Sequence, residues 1–134
     1  MRVIAIFTLL LSLFGVTFAA QAQVARSQLT TNVVNHEPVD NLQGQYLSDV
    51  MKDDQVMFFT QITNLKDKDV VHRWFYQGKE MAAVTLHIGS NSWRTYSSKL
   101  LKPDWQGEWQ VQVWQGDLLL TSYDFIYALK TPSR

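Results

Sequence analysis

The chain has no cysteine among its 134 residues, only three prolines and six glycines, and no excess of either charge, with 12 Lys and Arg against 12 Asp and Glu. Without thiols it can form neither a disulfide nor a zinc-thiolate site, so its stability has to come from packing. Balanced charge argues against a nucleic-acid partner or an anionic membrane surface, both of which leave a basic patch or stripe. No long helical period runs through the chain, and it contains no internal repeat or low-complexity tract.

What is present starts with an address. Arg2 is followed by an apolar run from Val3 to Phe18 and then by the small-residue string Ala19, Ala20, Gln21, Ala22. This order describes a secretory signal peptide cleaved after Ala22. A spanning helix needs about 20 apolar residues, more than this run supplies, so no stable membrane insertion is expected after cleavage. No cysteine can accept a lipid. Residues 23–134 are then one domain by length, periplasmic or secreted.

Within that domain the strand signals are regular. Val24 to Asn35 alternates loosely and predicts a long first strand that Pro38 stops by removing a backbone donor. Residues 39–54 are polar; a short strand or helix is expected there because a structureless connection of about 15 residues is uncommon, and Tyr46 to Met51 has room for one helical turn. Six further strands follow: Gln55 to Thr63, Val70 to Gln77, Met81 to Ile88, Ser92 to Ser98, Glu108 to Trp114 and Leu118 to Tyr127, with Gly78-Lys79 and Gly116-Asp117 as tight turns. The expected fold is all-β, an antiparallel immunoglobulin/fibronectin-like β-sandwich of about seven strands.

Strand alternation assigns faces. Trp109, Val111 and Val113 share the core side of their strand, leaving Glu108, Gln110, Gln112 and Trp114 opposite. Trp74 goes inward with Val70, His72 and Tyr76, while Val71, Arg73, Phe75 and Gln77 are more solvated. Leu101-Lys102-Pro103 followed by Gly107 to Val113 resembles the corner and sixth strand of immunoglobulin-like domains, with Trp109 as the corner anchor.

Val24-Ala25-Arg26 with Leu29-Thr30 and Glu37-Pro38, Phe58-Phe59-Thr60, His72-Arg73-Trp74, Trp93-Arg94-Thr95-Tyr96-Ser97-Ser98-Lys99 and Trp105-Gln106-Gly107-Glu108-Trp109 together resemble a bacterial family known as domain of unknown function 2914. The resemblance spans nearly all of residues 23–134. It implies an envelope protein built as one compact β domain. It implies no reaction, ligand or cofactor.

Two groups of residues are candidates for recognition. On a strand, Arg94, Tyr96 and Ser98 point one way with Lys99 just beyond, so guanidinium, phenol and hydroxyl can converge on an anionic or sugar-like group. The competing role for Arg94 is a structural pair with Glu37. The second group is Arg73, Phe75, Gln110, Gln112 and Trp114, which forms an aromatic and amide platform if the third and sixth strands are neighbours, unless the connection before Gln55 covers it.

Catalytic chemistry is less visible. Ser97 or Ser98 with Lys99 and His72 would be the parts of a small periplasmic hydrolase, yet no nucleophile-elbow glycines surround the serines. His36, His72 and His87 lack metal-ligand spacing, and Asp53-Asp54 and Asp67/Asp69 read as turn residues, so no metal and no cofactor is expected. The expectation is a non-enzymatic envelope module that binds a glycan or another envelope protein, with the hydrolase as its alternative. Position decides between them: an enzyme needs His72 or Lys99 beside a serine in a pocket, a binder an exposed patch.

Overall fold

In a computed structural model of the protein, residues 23–49 and 51–130 are described. The signal peptide and the cleavage after Ala22 expected from the sequence lie outside them. The described chain forms β1 (Gln23–Thr30), β2 (Val33–Val34), β3 (Glu37–Pro38), β4 (Gln45–Ser48), β5 (Asp54–Thr63), β6 (Asp69–Tyr76), β7 (Lys79–His87), β8 (Ser92–Leu101), a 3-10 turn (Pro103–Trp105), β9 (Gly107–Gln115) and β10 (Leu118–Leu129). The seven expected strands are β1 and β5 to β10. Three short strands accompany them.

Two sheets face each other. One is three-stranded in the order β1-β5-β8, the other five-stranded in the order β4-β10-β9-β6-β7. Alternation along each strand sends one set of apolar side chains between them. From the first sheet come Leu29, Val56, Phe58, Ile62 and Leu101, from the second Val70, Trp74, Trp109, Val111, Val113, Phe125 and Tyr127, all buried. Trp74 is 0% and Trp109 2% exposed, as the face assignment requires. Aromatic edges knit this layer: Phe58 meets Trp74 at 6.3 Å and Trp74 meets Phe125 at 6.2 Å, both near-perpendicular, the arrangement the ring quadrupoles favour.

Three local expectations are corrected. The first strand ends at Thr30 rather than Asn35, because the Asp40 carboxylate takes hydrogen bonds from the Thr30 hydroxyl (2.7 Å) and the Thr31 amide (2.8 Å) and so pulls the chain out of the sheet. Pro38 therefore stops nothing; it pairs with Val33 in a two-residue hairpin turned by Asn35 and His36, both at positive φ. Tyr46 to Met51 makes no helical turn over its described residues. Tyr46 to Ser48 instead pair in parallel with Tyr127 to Leu129, adding the one parallel contact among the described strands of an otherwise antiparallel architecture.

The turn between β6 and β7 is centred one residue earlier than expected, on Gln77 (φ 47°) and Gly78 (φ 82°), a pair of left-handed residues suited to a two-residue hairpin. The corner before β9 is anchored as expected. Trp109 Nε1 donates to the Trp105 carbonyl at 2.8 Å, tying the start of β9 to the 3-10 turn.

Candidate functional site

The third and sixth expected strands, β6 and β9, are neighbours, with Arg73 opposite Gln112 and Phe75 opposite Gln110. This brings Arg73, Phe75, Gln110, Gln112 and Trp114 onto one outer face of the five-stranded sheet, each half-buried. The connection before Gln55 does not cover them. It runs along the sheet edge, where the Gly44 carbonyl accepts from the Ile126 amide at 2.9 Å and the Gly44 amide donates to the Tyr123 hydroxyl at 2.8 Å.

On this face the polar side chains form a ladder. Trp114 Nε1 donates to Gln112 Oε1 at 2.7 Å, Gln112 Nε2 to Gln110 Oε1 at 2.7 Å, and Gln110 Nε2 to Asp124 Oδ1 at 2.8 Å. Residues two apart on a strand share a face, which is why Gln110, Gln112 and Trp114 can chain in this way; Asp124 joins them because it is the register partner of Gln110 on β10. Each amide spends one N–H and one lone pair within the ladder and keeps a second of each for a ligand. Arg73 is held by Glu80 at 2.8 Å. Beside the ladder lies a groove of about 640 Å³ lined by Phe75, Gln77, Glu108, Gln110, Gln112 and Asp124 among others, within the size range of small-molecule sites. Asp124 and Glu108 were not singled out from the sequence. Alternation places Glu108 on this face with Gln110, Gln112 and Trp114, whereas Asp124 needs the β9-β10 register.

The other candidate group is divided by the same alternation. Arg94, Tyr96 and Ser98 lie exposed on the outer face of the three-stranded sheet. Lys99 does not join them: it points to the opposite side, with its ammonium 4.9 Å from the centre of the Trp105 ring. Arg94 donates to Glu37 at 2.7 Å, and Arg26 donates to both oxygens of the same carboxylate at 3.1 and 2.9 Å. Hydrogen bonds from Arg26 and then Arg94 hold the Glu37 carboxyl down at about 2. Because Arg26 and Arg94 both oppose Gln61 of the central strand, Glu37 spans the sheet from one edge strand to the other and fastens the β2-β3 hairpin there. Beneath it the Arg26 guanidinium lies 4.8 Å from the centre of the Phe59 ring, and Phe59 is fully buried although it is on the outer side of its strand.

Ser97 and His72 do meet. His72 Nδ1 is 2.7 Å from Ser97 Oγ, His72 Nε2 is 3.1 Å from Thr60 Oγ1, and Trp74 Nε1 donates to Ser97 Oγ at 3.1 Å. All four lie between the sheets, with His72 at 0% and Ser97 at 3% exposure, so a substrate has no approach to this serine. Burial pushes His72 down to about 3, leaving it neutral at any ordinary pH. The cluster joins the two sheets: Thr60 and Ser97 belong to one, His72 and Trp74 to the other. Ser98 points outward and Lys99 lies over Trp105, so the remaining hydrolase parts are not assembled. Among the described residues no group of three or more His, Cys, Asp or Glu is placed to hold a metal ion.

At the end of the sandwich, Asp54 accepts hydrogen bonds from Tyr46 and from Ser48 (3.0 Å) on β4. Burial alone would raise Asp54; the donors from Tyr46, the Gln55 amide and Ser48 outweigh it and hold the carboxyl low. These contacts secure the parallel edge strand to β5.

Comparison with known proteins supports this architecture. No curated protein matches the chain. Among solved structures, it is similar to an immunoglobulin-like protein from Pseudomonas aeruginosa, with a TM-score of 0.52, 11% identity, and coverage of 80% of this chain and 96% of that one. An alkylpurine DNA glycosylase of Pseudomonas fluorescens, bound to DNA containing an abasic-site analogue, aligns with a TM-score of 0.43 at 11% identity over 80% of this chain and 30% of that one. The first likeness shows an immunoglobulin-like β-sandwich. Residues 67–125 match the profile of the family described as protein of unknown function (DUF2914), a stretch that holds β6 to β9, most of β10 and the ladder from Trp114 to Asp124. Motifs before residue 67 lie outside the match. Across residues 67–125, the chain is therefore similar to the DUF2914 family.

Proposed function

We propose that the protein is an exported, non-enzymatic binding module of the bacterial envelope whose outer five-stranded face recognises a glycan. One observation carries the reading: the Trp114-Gln112-Gln110-Asp124 ladder borders a groove that also presents the Phe75 ring. A sugar offers apolar C–H faces for an aromatic ring and hydroxyls that both donate and accept. The platform supplies the ring, amides with free N–H and carbonyl positions, and the Asp124 and Glu108 carboxylates. The ladder orients the amides before any ligand arrives, which reduces the ordering cost of binding. Two carboxylates in the groove favour a neutral glycan over an acidic one.

Titration of the mature protein with N-acetylglucosamine oligosaccharides, followed by tryptophan fluorescence, tests the reading. Saturable binding that weakens about tenfold in Phe75→Ala and in Gln110→Ala, near 1.4 kcal/mol each, is the expected result. Absence of binding to these and to other neutral envelope glycans, or equal binding by the variants, overturns it. Export is tested separately: intact-mass analysis of protein from the periplasm or medium should show a chain beginning at Gln23, and retention of Met1 in a membrane fraction reverses that part of the proposal.

A further inference from the structure

Lys99, displaced from the cluster in which strand order alone would put it, belongs to another. Its ammonium lies 4.9 Å from the centre of the Trp105 ring and 6.0 Å from that of Trp109. Lys102 approaches the same Trp105 ring, at 5.2 Å. Two cations thus converge on one indole, which attracts them through its ring quadrupole but carries no net charge to offset their mutual repulsion. Among the described residues neither lysine has a carboxylate partner, in contrast to Arg26, Arg73, Arg94 and Lys130. The only hydrogen bond of Lys99 within those residues goes to the adjacent Leu100 carbonyl, at 3.0 Å.

From this geometry we infer that Lys99 and Lys102 form an anion site over Trp105 that takes a phosphate- or sulfate-type oxyanion. A tetrahedral oxyanion has enough acceptor oxygens to receive hydrogen bonds from both ammonium groups at once, and it removes the repulsion that the indole leaves in place. The stem of Lys99 is half-buried and the 3-10 turn carrying Trp105 is anchored by Trp109, so the ring and the Lys99 stem are held in place before the anion binds, and the exposed Lys102 side chain closes on it from the start of the same turn. Burial, and then the nearby Lys102, lower the affinity of Lys99 for its proton, the response expected of a cation that lacks a counter-charge. This site is separate from the outer sheet groove and does not depend on the glycan reading.

Reductive methylation of the mature protein near neutral pH, with each lysine followed by peptide mapping, tests the inference. Inorganic phosphate should slow labelling of Lys99 and Lys102 severalfold while leaving Lys79 unaffected, and Lys102→Gln should abolish the protection at Lys99. A parallel arm with phosphatidylglycerol vesicles separates the two sources of the group: protection by free phosphate marks a small ligand, protection by vesicles alone a lipid headgroup. Equal slowing at every lysine reflects ionic screening and overturns the site. So does protection of Lys99 that persists in Lys102→Gln, or no protection in either arm.

Discussion

The outer faces of the two sheets are finished in opposite ways. On the three-stranded sheet, the chain between β1 and β4 folds back: Glu37 clasps Arg26 and Arg94, Asp40 is gripped by Thr30 and Thr31, and Phe59 is sealed completely. On the five-stranded sheet no such clasp is found among the described residues. Phe75 and Trp114 stay half-buried, and the polar groups are ordered by bonding to one another. A face whose apolar ring is closed over contributes to folding. One whose ring stays open beside fixed amides is available to a ligand.

The most severe challenge to this contrast is to remove the equivalent ring from each face. Phe59→Ala is expected to cost about 3–5 kcal/mol, the range for deleting a buried aromatic and similar to that expected for Trp74→Ala or Trp109→Ala in the shared core. Phe75→Ala should cost about 1 kcal/mol or less, as expected for a side chain that is already partly solvated. Urea unfolding of the three stability variants and Phe75→Ala measures both sides; equal losses at Phe59 and Phe75 would erase the distinction between the faces.

Acid sharpens the role of the layer between them. His72 has an ordinary value of 6.5 and a folded value of about 3, so above roughly pH 6.5 neither folded nor unfolded chain binds its proton and it adds no pH dependence. As pH falls from there towards 3 only the unfolded chain takes up the proton. Stability should then drop by up to roughly 1.4 kcal/mol per pH unit, on the order of 4 kcal/mol across the window, and the loss should level off below it. Denaturant midpoints from pH 7 to pH 3 check this. A His72→Gln variant should show a flatter profile, and a profile equally steep in both proteins would assign the acid sensitivity to carboxylates such as Asp54 instead.

Smaller effects are expected at the clasp. Asp40→Asn removes charge from hydrogen bonds that end β1 and should lower stability by about 1–2 kcal/mol. Arg94→Ala leaves Glu37 with both of its Arg26 contacts on an exposed surface, so its effect should stay below about 1 kcal/mol and it should not impair glycan binding. Thermal melts and the same glycan titration read both variants. Loss of binding in Arg94→Ala would move the recognition site to the three-stranded face.

Much of this organisation is local and could be read along the chain. A two-residue period is a property of the extended backbone, so the inward placement of Trp74, Trp109, Val111 and Val113 followed from which residues alternate. The adjacency of β6 and β9, anticipated from the immunoglobulin-like order, then assembled Arg73, Phe75, Gln110 and Gln112. Lys99 was misplaced for a different reason. Its position just after Ser98 suggested the end of the strand, but β8 continues to Leu101 and alternation carries Lys99 to the opposite side.

The sequence by itself determined the strand periods, the core sides of β6 and β9 and the absence of disulfides, because each depends on residue identity and short spacing. Tertiary structure alone decided which outer face is closed. The Glu37 clasp joins residues 57 positions apart, the His72-Ser97 contact residues 25 apart and the Gln110-Asp124 bond residues 14 apart. Such pairings depend on sheet order and register, which arise when two layers bury a common core and bring distant side chains within bonding reach.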